Sequence, residues 1–266
     1  MVHYASSLIA HIFSSMRLVA VFFLLLFFGS SSAQEVDHPF KLGEKLNYSM
    51  HFGWFEVGEA EFWIDPELQY IDGEAYYSVQ GEINTSSWAR IFKAITGCFE
   101  SLIQVETLEP LRSHRTMYAG KKIDDVRTDH FSYSDSLKIH TYVEDLDEHR
   151  YRSFSRMVNI PMRDFLSTFL FLRTVQFNEN KPLNMRSFYS NTLYELKVVP
   201  GEQKDYNLKR KKIASREYSL EFPKNEYFKR GKNGSAILSE ESDRRPLRVE
   251  INMALGSFYL KLADES

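Results

Sequence analysis

A single cysteine, Cys98, stands among the 266 residues. One thiol makes neither an intrachain disulfide nor a thiolate-rich metal site, so the fold rests on its core and not on covalent staples. Proline and glycine are scarce, at 8 and 12 residues, which excludes a collagen-like repeat and a flexible low-complexity chain. Neither sign of charge dominates. Lys and Arg total 33 against 36 Asp and Glu, a net charge of −3, and that balance argues against a protein held to nucleic acid by charge. A hydrophobic content of 43% excludes intrinsic disorder. The longest apolar run, Leu18 to Phe28, falls short of the ~17–25 residues that a membrane-spanning helix requires.

That run has the shape of a targeting segment. Arg17 precedes it, and Gly29-Ser30-Ser31-Ser32-Ala33 follows, with Ser31 and Ala33 at −3 and −1 of a cut before Gln34. A short apolar stretch with a small-residue exit reads as a cleavable secretory signal. Met16, next to Arg17, is a second candidate start. The expected organisation is a signal over residues 1–33 and one β-rich domain over 34–266. No cysteine follows the run, so the bacterial lipoprotein route is closed, and no spanning segment remains after cleavage. An uncleaved anchor is the alternative reading of the same run.

Aromatic residues reach 15%, with 21 Phe and 15 Tyr, a composition that favours strands. From Leu46 the apolar residues Leu46, Tyr48, Met50, Phe52 and Trp54 alternate with Asn47, Ser49, His51 and Gly53, the pattern of a strand with one wet face. The phase changes at Val57-Gly58, where a bulge or tight bend is expected, and resumes as Ala60, Phe62 and Ile64. Ile71-Asp72-Gly73 reads as a turn. Similar runs at 99–105, 111–118, 126–133, 137–143, 192–199, 215–222 and 247–262 bring the expected number of strands to about eleven. Two stretches depart from period two. Trp88, Ile91, Phe92 and Ile95 follow Thr85-Ser86-Ser87 at helical spacing. Asp164 opens Phe165 to Arg173, a helix apolar nearly all round. The expected fold is mainly β, a single antiparallel and strongly curved sheet that closes into a barrel or half-barrel, with short helices over about 85–95 and 164–174. Cys98, near Ile95, Phe99 and Leu102, is expected to be buried as a small hydrophobe.

Several landmarks recur in a fixed order. They are Phe40-Lys-Leu-Gly43-Glu44-Lys-Leu46-Asn-Tyr48, Val57-Gly58-Glu-Ala60, Phe99-Glu-Ser101 with Thr107-Leu-Glu-Pro110, Asp164-Phe-Leu166-Ser167 leading to Leu172-Arg173, and Ser242-Asp243-Arg-Arg245-Pro246-Leu before Gly256. Together they resemble the exported bacterial family of unknown function DUF3108, over about Phe40 to Leu262. The resemblance implies a periplasmic or outer-membrane-facing β-rich domain and brings no activity, cofactor or catalytic residue. Lys41-Leu42 stands where many relatives carry proline. From the residues alone, Pro110 and Pro246 suit the first position of a strand, Asp164 suits a helix cap, and Asp243-Arg244-Arg245 suits a turn with an ion pair.

Motifs that carry chemistry are missing. There is no His-Glu-x-x-His, no nucleophile elbow, no phosphate loop and no dinucleotide fingerprint. His130 and His140 flank a turn, with Asp129 nearby, and His51 lies within reach of Glu59 or Glu61. Solvated strand-face side chains account for both sets, so no metal or other cofactor is assigned. Glu59 and Glu61 share a strand face, the spacing a glycan hydrolase would need, although acidic residues on a wet face are ordinary. The basic run Lys209-Arg210-Lys211-Lys212 reads as a solvated loop.

What remains is a binding protein rather than an enzyme, with a hydrophobic or lipid ligand enclosed by the curved sheet and lined by Trp88, Phe92, Phe165, Phe169 and Phe171. The alternative is an assembly partner of envelope proteins that recruits them through an exposed sheet edge. A hydrolase acting on envelope glycans comes third. In each case the location is the periplasm or the outer membrane. Cleavage between Ala33 and Gln34 predicts that Edman sequencing of the protein from envelope fractions begins at Gln34; a start at or before Met16 contradicts it.

Overall fold

The period-two runs become strands because each presents one apolar face to a shared interior. The computed structural model describes residues 37–88, 95–119, 122–133, 136–145, 150–158, 161–177, 181–189, 192–223, 231–253 and 256–263. The strands are β1 (Lys45–Phe52), β2 (Phe55–Ile64), β3 (Gln69–Ile71), β4 (Glu74–Thr85), β5 (Ile95–Gln104), β6 (Pro110–Ala119), β7 (Lys122–Tyr133), β8 (Leu137–Asp145) and β9 (Arg150–Val158). After helix α1 (Phe165–Thr174) come β10 (Leu183–Tyr189), β11 (Thr192–Leu208), β12 (Lys211–Phe222), β13 (Gly231–Ser239), β14 (Pro246–Met253) and β15 (Gly256–Leu262).

All belong to one antiparallel 15-stranded sheet in the order β10-β11-β12-β13-β14-β15-β1-β2-β4-β5-β6-β7-β8-β9, with β3 paired to β4. The mainly β fold and the single curved sheet therefore stand as read from the sequence. The number of strands exceeds eleven because β3, β9 and β10 carry little or no alternation. Sequence neighbours are spatial neighbours almost throughout. The pairing of β1 with β15 joins the two ends of the domain, with Tyr48 opposite Leu262. The expected bulge is present: Met50 faces Gly58 and His51 faces Glu56, which leaves Val57 extra. A side chain at Gly58 would place its Cβ 2.1 Å from the Asn84 carbonyl oxygen, so only glycine lets β2 and β4 meet there.

The sheet does not close by hydrogen bonds between β9 and β10. It rolls past itself instead. The inner face of β5–β8 is traced by the register row Ser101, Ser113, Asp129 and Thr141. Onto this face β10 folds its aromatic end. Phe188 meets Phe131 edge-on with ring centres 6.2 Å apart, the Arg127 guanidinium lies 5.6 Å over Phe188, and that of Arg115 lies 4.8 Å over Tyr189. Met162, Phe131, Leu137, Ile139 and Phe188 form a core cluster of their own at this overlap. Since β10 covers β6–β8, β9 overhangs.

Helix α1 lies on the concave side, and Leu166 and Leu170 join the main core with Leu46, Tyr48, Phe62 and Ile103. Burying each leucine stabilises by about 1.5–3 kcal/mol. Its N-cap is Asp164, as expected, in a reciprocal capping box with Ser167. At the other end of α1, Arg173 is fully buried. Its guanidinium donates to both Glu44 carboxylate oxygens, at 2.5 and 3.1 Å, and to the Asp243 carbonyl at 2.8 Å. The first expected helix, over about 85–95, is bounded by strands instead: Thr85 ends β4, Ser87 and Trp88 form a turn and Ile95 begins β5, while residues 89–94 lie outside the described residues. Among the described residues α1 is the one helix.

Replacing Arg173 by alanine leaves the partly exposed Glu44 carboxylate and the Asp243 carbonyl without their buried donor, and the expected loss is about 3 kcal/mol. Lys45→Ala breaks the exposed Lys45–Glu61 pair at 2.5 Å and is expected to cost about 1 kcal/mol or less. Urea unfolding of the two variants measures the contrast.

Candidate functional site

The unclosed seam leaves a cavity of about 870 Å³ between α1 and the strands β10–β12. Phe171, Leu183, Met185, Leu196 and Phe222 supply its apolar lining. Met185 and Leu196 sit directly opposite each other in the β10–β11 register and are buried. Charged side chains gather at the rim. Arg186 donates to Glu195 at 3.1 Å, and Lys197 pairs with Glu221 at 3.1 Å.

Arg163 joins the lining by way of the backbone. The stretch before α1 runs beside the free edge of β10: the Arg163 amide donates to the Arg186 carbonyl at 3.1 Å and its carbonyl accepts from the Phe188 amide at 2.7 Å. This fixes the Arg163 guanidinium 3.6 Å from the centre of the Phe171 ring, where it donates to the Thr107 carbonyl at 3.1 Å. Its Nε–H is buried without a partner among the described residues. Burial lowers the proton affinity of Arg163, and nearby Glu109 works the other way. An arginine among the residues of an apolar wall suits the carboxylate or phosphate of an amphiphile.

A second void, of about 30 Å³, lies by the N-terminus of α1 and is lined in part by Asp164, Phe165, Arg127 and Phe188. It is room for one or two waters. The side chains around it satisfy one another. The Ser101 hydroxyl donates to Asp164 at 2.5 Å, the Ser167 amide donates to Asp164 at 2.7 Å, and Asp129 accepts from Arg127 at 3.0 Å and from the Thr141 hydroxyl. Burial pushes the Asp164 carboxyl above its ordinary range, with the charge of Asp129 adding to the rise and the hydrogen bonds from Ser101 and Ser167 opposing it. This cluster holds the helix in place and offers no reactive pair.

The five expected lining residues part company. Phe171 lines the large cavity. Phe169 packs on Phe62 at 5.3 Å and Tyr48 at 6.4 Å, inside the core. Phe165 touches Phe62 and Phe99 and borders the small void. Trp88 stacks edge-on with Phe55 at 6.1 Å, next to the β1–β2 turn, where Trp54 is 97% exposed. Phe92 lies outside the described residues, as do Ala33 and Gln34. Sequence reading missed Arg163, Met185 and Leu196. The alternation around Leu196 was legible, but which strands the roll would bring to α1 was not.

Other candidates resolve into structure. The register sets His130 directly opposite His140, with Tyr142 against both rings, while Asp129 points to the inner face. Among the described residues no cluster of three metal-ligating side chains occurs. His51 approaches Glu56 at 3.9 Å, rather than Glu59 or Glu61. Cys98 is exposed, a correction to its expected burial: strand alternation turns Phe99 inward and therefore Cys98 outward. The thiol is nonetheless pushed up by partial desolvation and by Glu82. Lys209 and Arg210 form a two-residue hairpin turn with φ of 42° and 76°, and Arg245 closes the Asp243 turn with an ion pair at 2.6 Å.

A family model described as a protein of unknown function, DUF3108, matches residues 47–263. No curated protein matches. Among solved structures, the chain is similar to a β-barrel-like protein of the domain of unknown function DUF1849 from Brucella abortus. The TM-score is 0.56 at 9% identity, over 84% of this chain and 97% of that one. At that identity the likeness speaks for the fold.

The raised Asp164 carboxyl has a pH consequence. Its folded form keeps the proton to higher pH than its unfolded form, so the contribution of this group to stability is greatest at low pH and declines as pH rises through its folded pKa. Asp164→Asn keeps the helix cap and removes this decline. Thermal melts of both proteins from acid to neutral pH are expected to show the variant gaining on wild type as pH rises.

Proposed function

This chain belongs to the DUF3108 family of proteins of unknown function, and on that premise we propose that it is an exported, non-enzymatic carrier of a hydrophobic or lipid ligand in the periplasm. The observation that carries this reading is the cavity of about 870 Å³ beside Phe171, within the ~300–1,000 Å³ range of small-molecule sites. Its apolar lining from Leu183, Met185 and Leu196 would take an acyl chain, and the Arg163 guanidinium at the same wall would meet an anionic head. The rim carboxylates Glu195 and Glu221 are engaged by Arg186 and Lys197, which favours binding over glycan hydrolysis. Export rests on the segment before Gln34.

Native mass spectrometry of the protein from envelope extracts is expected to show a bound lipid. Titration of the delipidated protein with the fluorescent fatty acid cis-parinaric acid is expected to saturate at one site. Leu183→Asp places a charge on the half-exposed apolar wall and is expected to weaken that binding at least tenfold with little change in melting temperature. A lipid-free protein that ignores the probe overturns the carrier reading.

A further inference from the structure

We propose that β9 is a strand-addition site for an extended peptide segment that carries acidic side chains at alternate positions. The proposal rests on the far side of the seam from the cavity and is independent of the carrier reading.

The two ends of the sheet differ. At β10 the backbone of Arg163 already occupies part of the outer edge. At β9 the only strand partner is β8, and among the described residues no segment pairs with its outer side. From Arg150 to Met157 every residue is exposed, because β10 covers β6–β8 and leaves β9 overhanging. Tyr151 is 76% exposed, Met157 62% and Phe154 40%. A long open edge with large side chains on it is a template for another strand.

The side chains specify what that strand carries. The nine residues of β9 hold three arginines and no acid. Arg152, Phe154 and Arg156 face the concave side, opposite Val143, Thr141 and Ile139. Arg152 and Arg156 make no ion pair among the described residues. The other face shows Tyr151, Ser153, Ser155 and Met157. A second copy of β9, paired antiparallel about Phe154, would set Arg152 against Arg156 twice, and like charges opposed across a strand pair repel. The arginines therefore discriminate against self-association and select a partner whose concave-side positions are Asp or Glu, with an apolar residue tolerated against Phe154.

The test uses the signal-free chain and a fluorescein-labelled peptide, Glu-Val-Glu-Val-Glu-Val-Glu, followed by anisotropy. The same peptide with lysine for glutamate serves as control, along with two N-methylated forms, one methylated at every valine and one at every internal glutamate. Expected results are micromolar binding of the acidic peptide, none of the lysine peptide, slowed hydrogen exchange at residues 150–158, and loss of binding in one of the two methylated forms. The double variant Arg152→Glu, Arg156→Glu is expected to bind the acidic peptide at least tenfold more weakly, with an unchanged circular dichroism spectrum. Absence of binding overturns the proposal. Binding that survives both methylations overturns it too, since that would be charge attraction without a strand. Sedimentation showing a dimer that the double variant disrupts would make a second copy the occupant and also overturn it. Lipid retention, read separately by mass spectrometry, reports on the cavity alone.

Discussion

The arrangement hangs on one buried guanidinium. Arg173 has no solvent exposure, yet it sits at the last turn of α1, where the helix dipole favours a cation. From there it reaches two parts of the chain that are far apart in sequence: the segment before β1, through Glu44 and the Pro39 carbonyl at 3.4 Å, and the Asp243 carbonyl in the turn before β14. Phe40 lies under it, 5.4 Å away. Hydrophobic contact alone would let α1 slide on a smooth concave face. A buried cation with fixed acceptors does not slide. Tyr48 adds to the same corner by donating its hydroxyl to the Pro246 carbonyl at 3.0 Å, and burial there raises its proton affinity.

α1 is fixed at one end by Arg173 and at the other by Asp164 and Ser101, and among the described residues the sheet around it is not closed by a β9–β10 pairing. The roll carries β10 onto the inner face of β6–β8 and stops where Phe188 meets Phe131. Two features follow from that stop: the apolar cavity between Phe171 and the β10–β11 pair, and the overhang of β9. The polar row of Arg127, Asp129 and Thr141 lies under the overlap, buried and hydrogen-bonded within itself.

Much of this was legible in the sequence, for local reasons. The alternation of Leu46, Tyr48 and Met50 marked β1, and the phase slip at Val57-Gly58 marked a bulge that the pairing of Met50 with Gly58 bears out. Pro110 and Pro246 open β6 and β14, and Asp164 caps α1. Three things were not legible. Strand β9 has no dry face, so it has no period to detect. Strand β10 is short and its Arg186 interrupts the apolar positions. The division of labour among Phe165, Phe169 and Phe171 depends on which strand each turn of the helix meets, and that is set by the roll rather than by helix periodicity. Cys98 was misplaced because apolar neighbours in sequence are poor guides on a strand, where adjacent side chains face opposite ways.

The pairing of β1 with β15 carries a consequence for how the molecule comes into being. Ser49 lies opposite Lys261 and Met50 opposite Leu260, so β1 waits for β15 before its second edge is satisfied. Residues of the opening segment and of the 240s also share the Arg173 corner. The chain can lay down the hairpins from β4 to β8 early, since their contacts are local. It cannot seal the middle of the sheet until β15 is available, because the seal has the highest contact order in the fold. Until then the apolar side of β1, with Tyr48 and Met50, is an open template for any other chain nearby. A protein built this way depends on being kept apart from its neighbours until β15 has paired with β1.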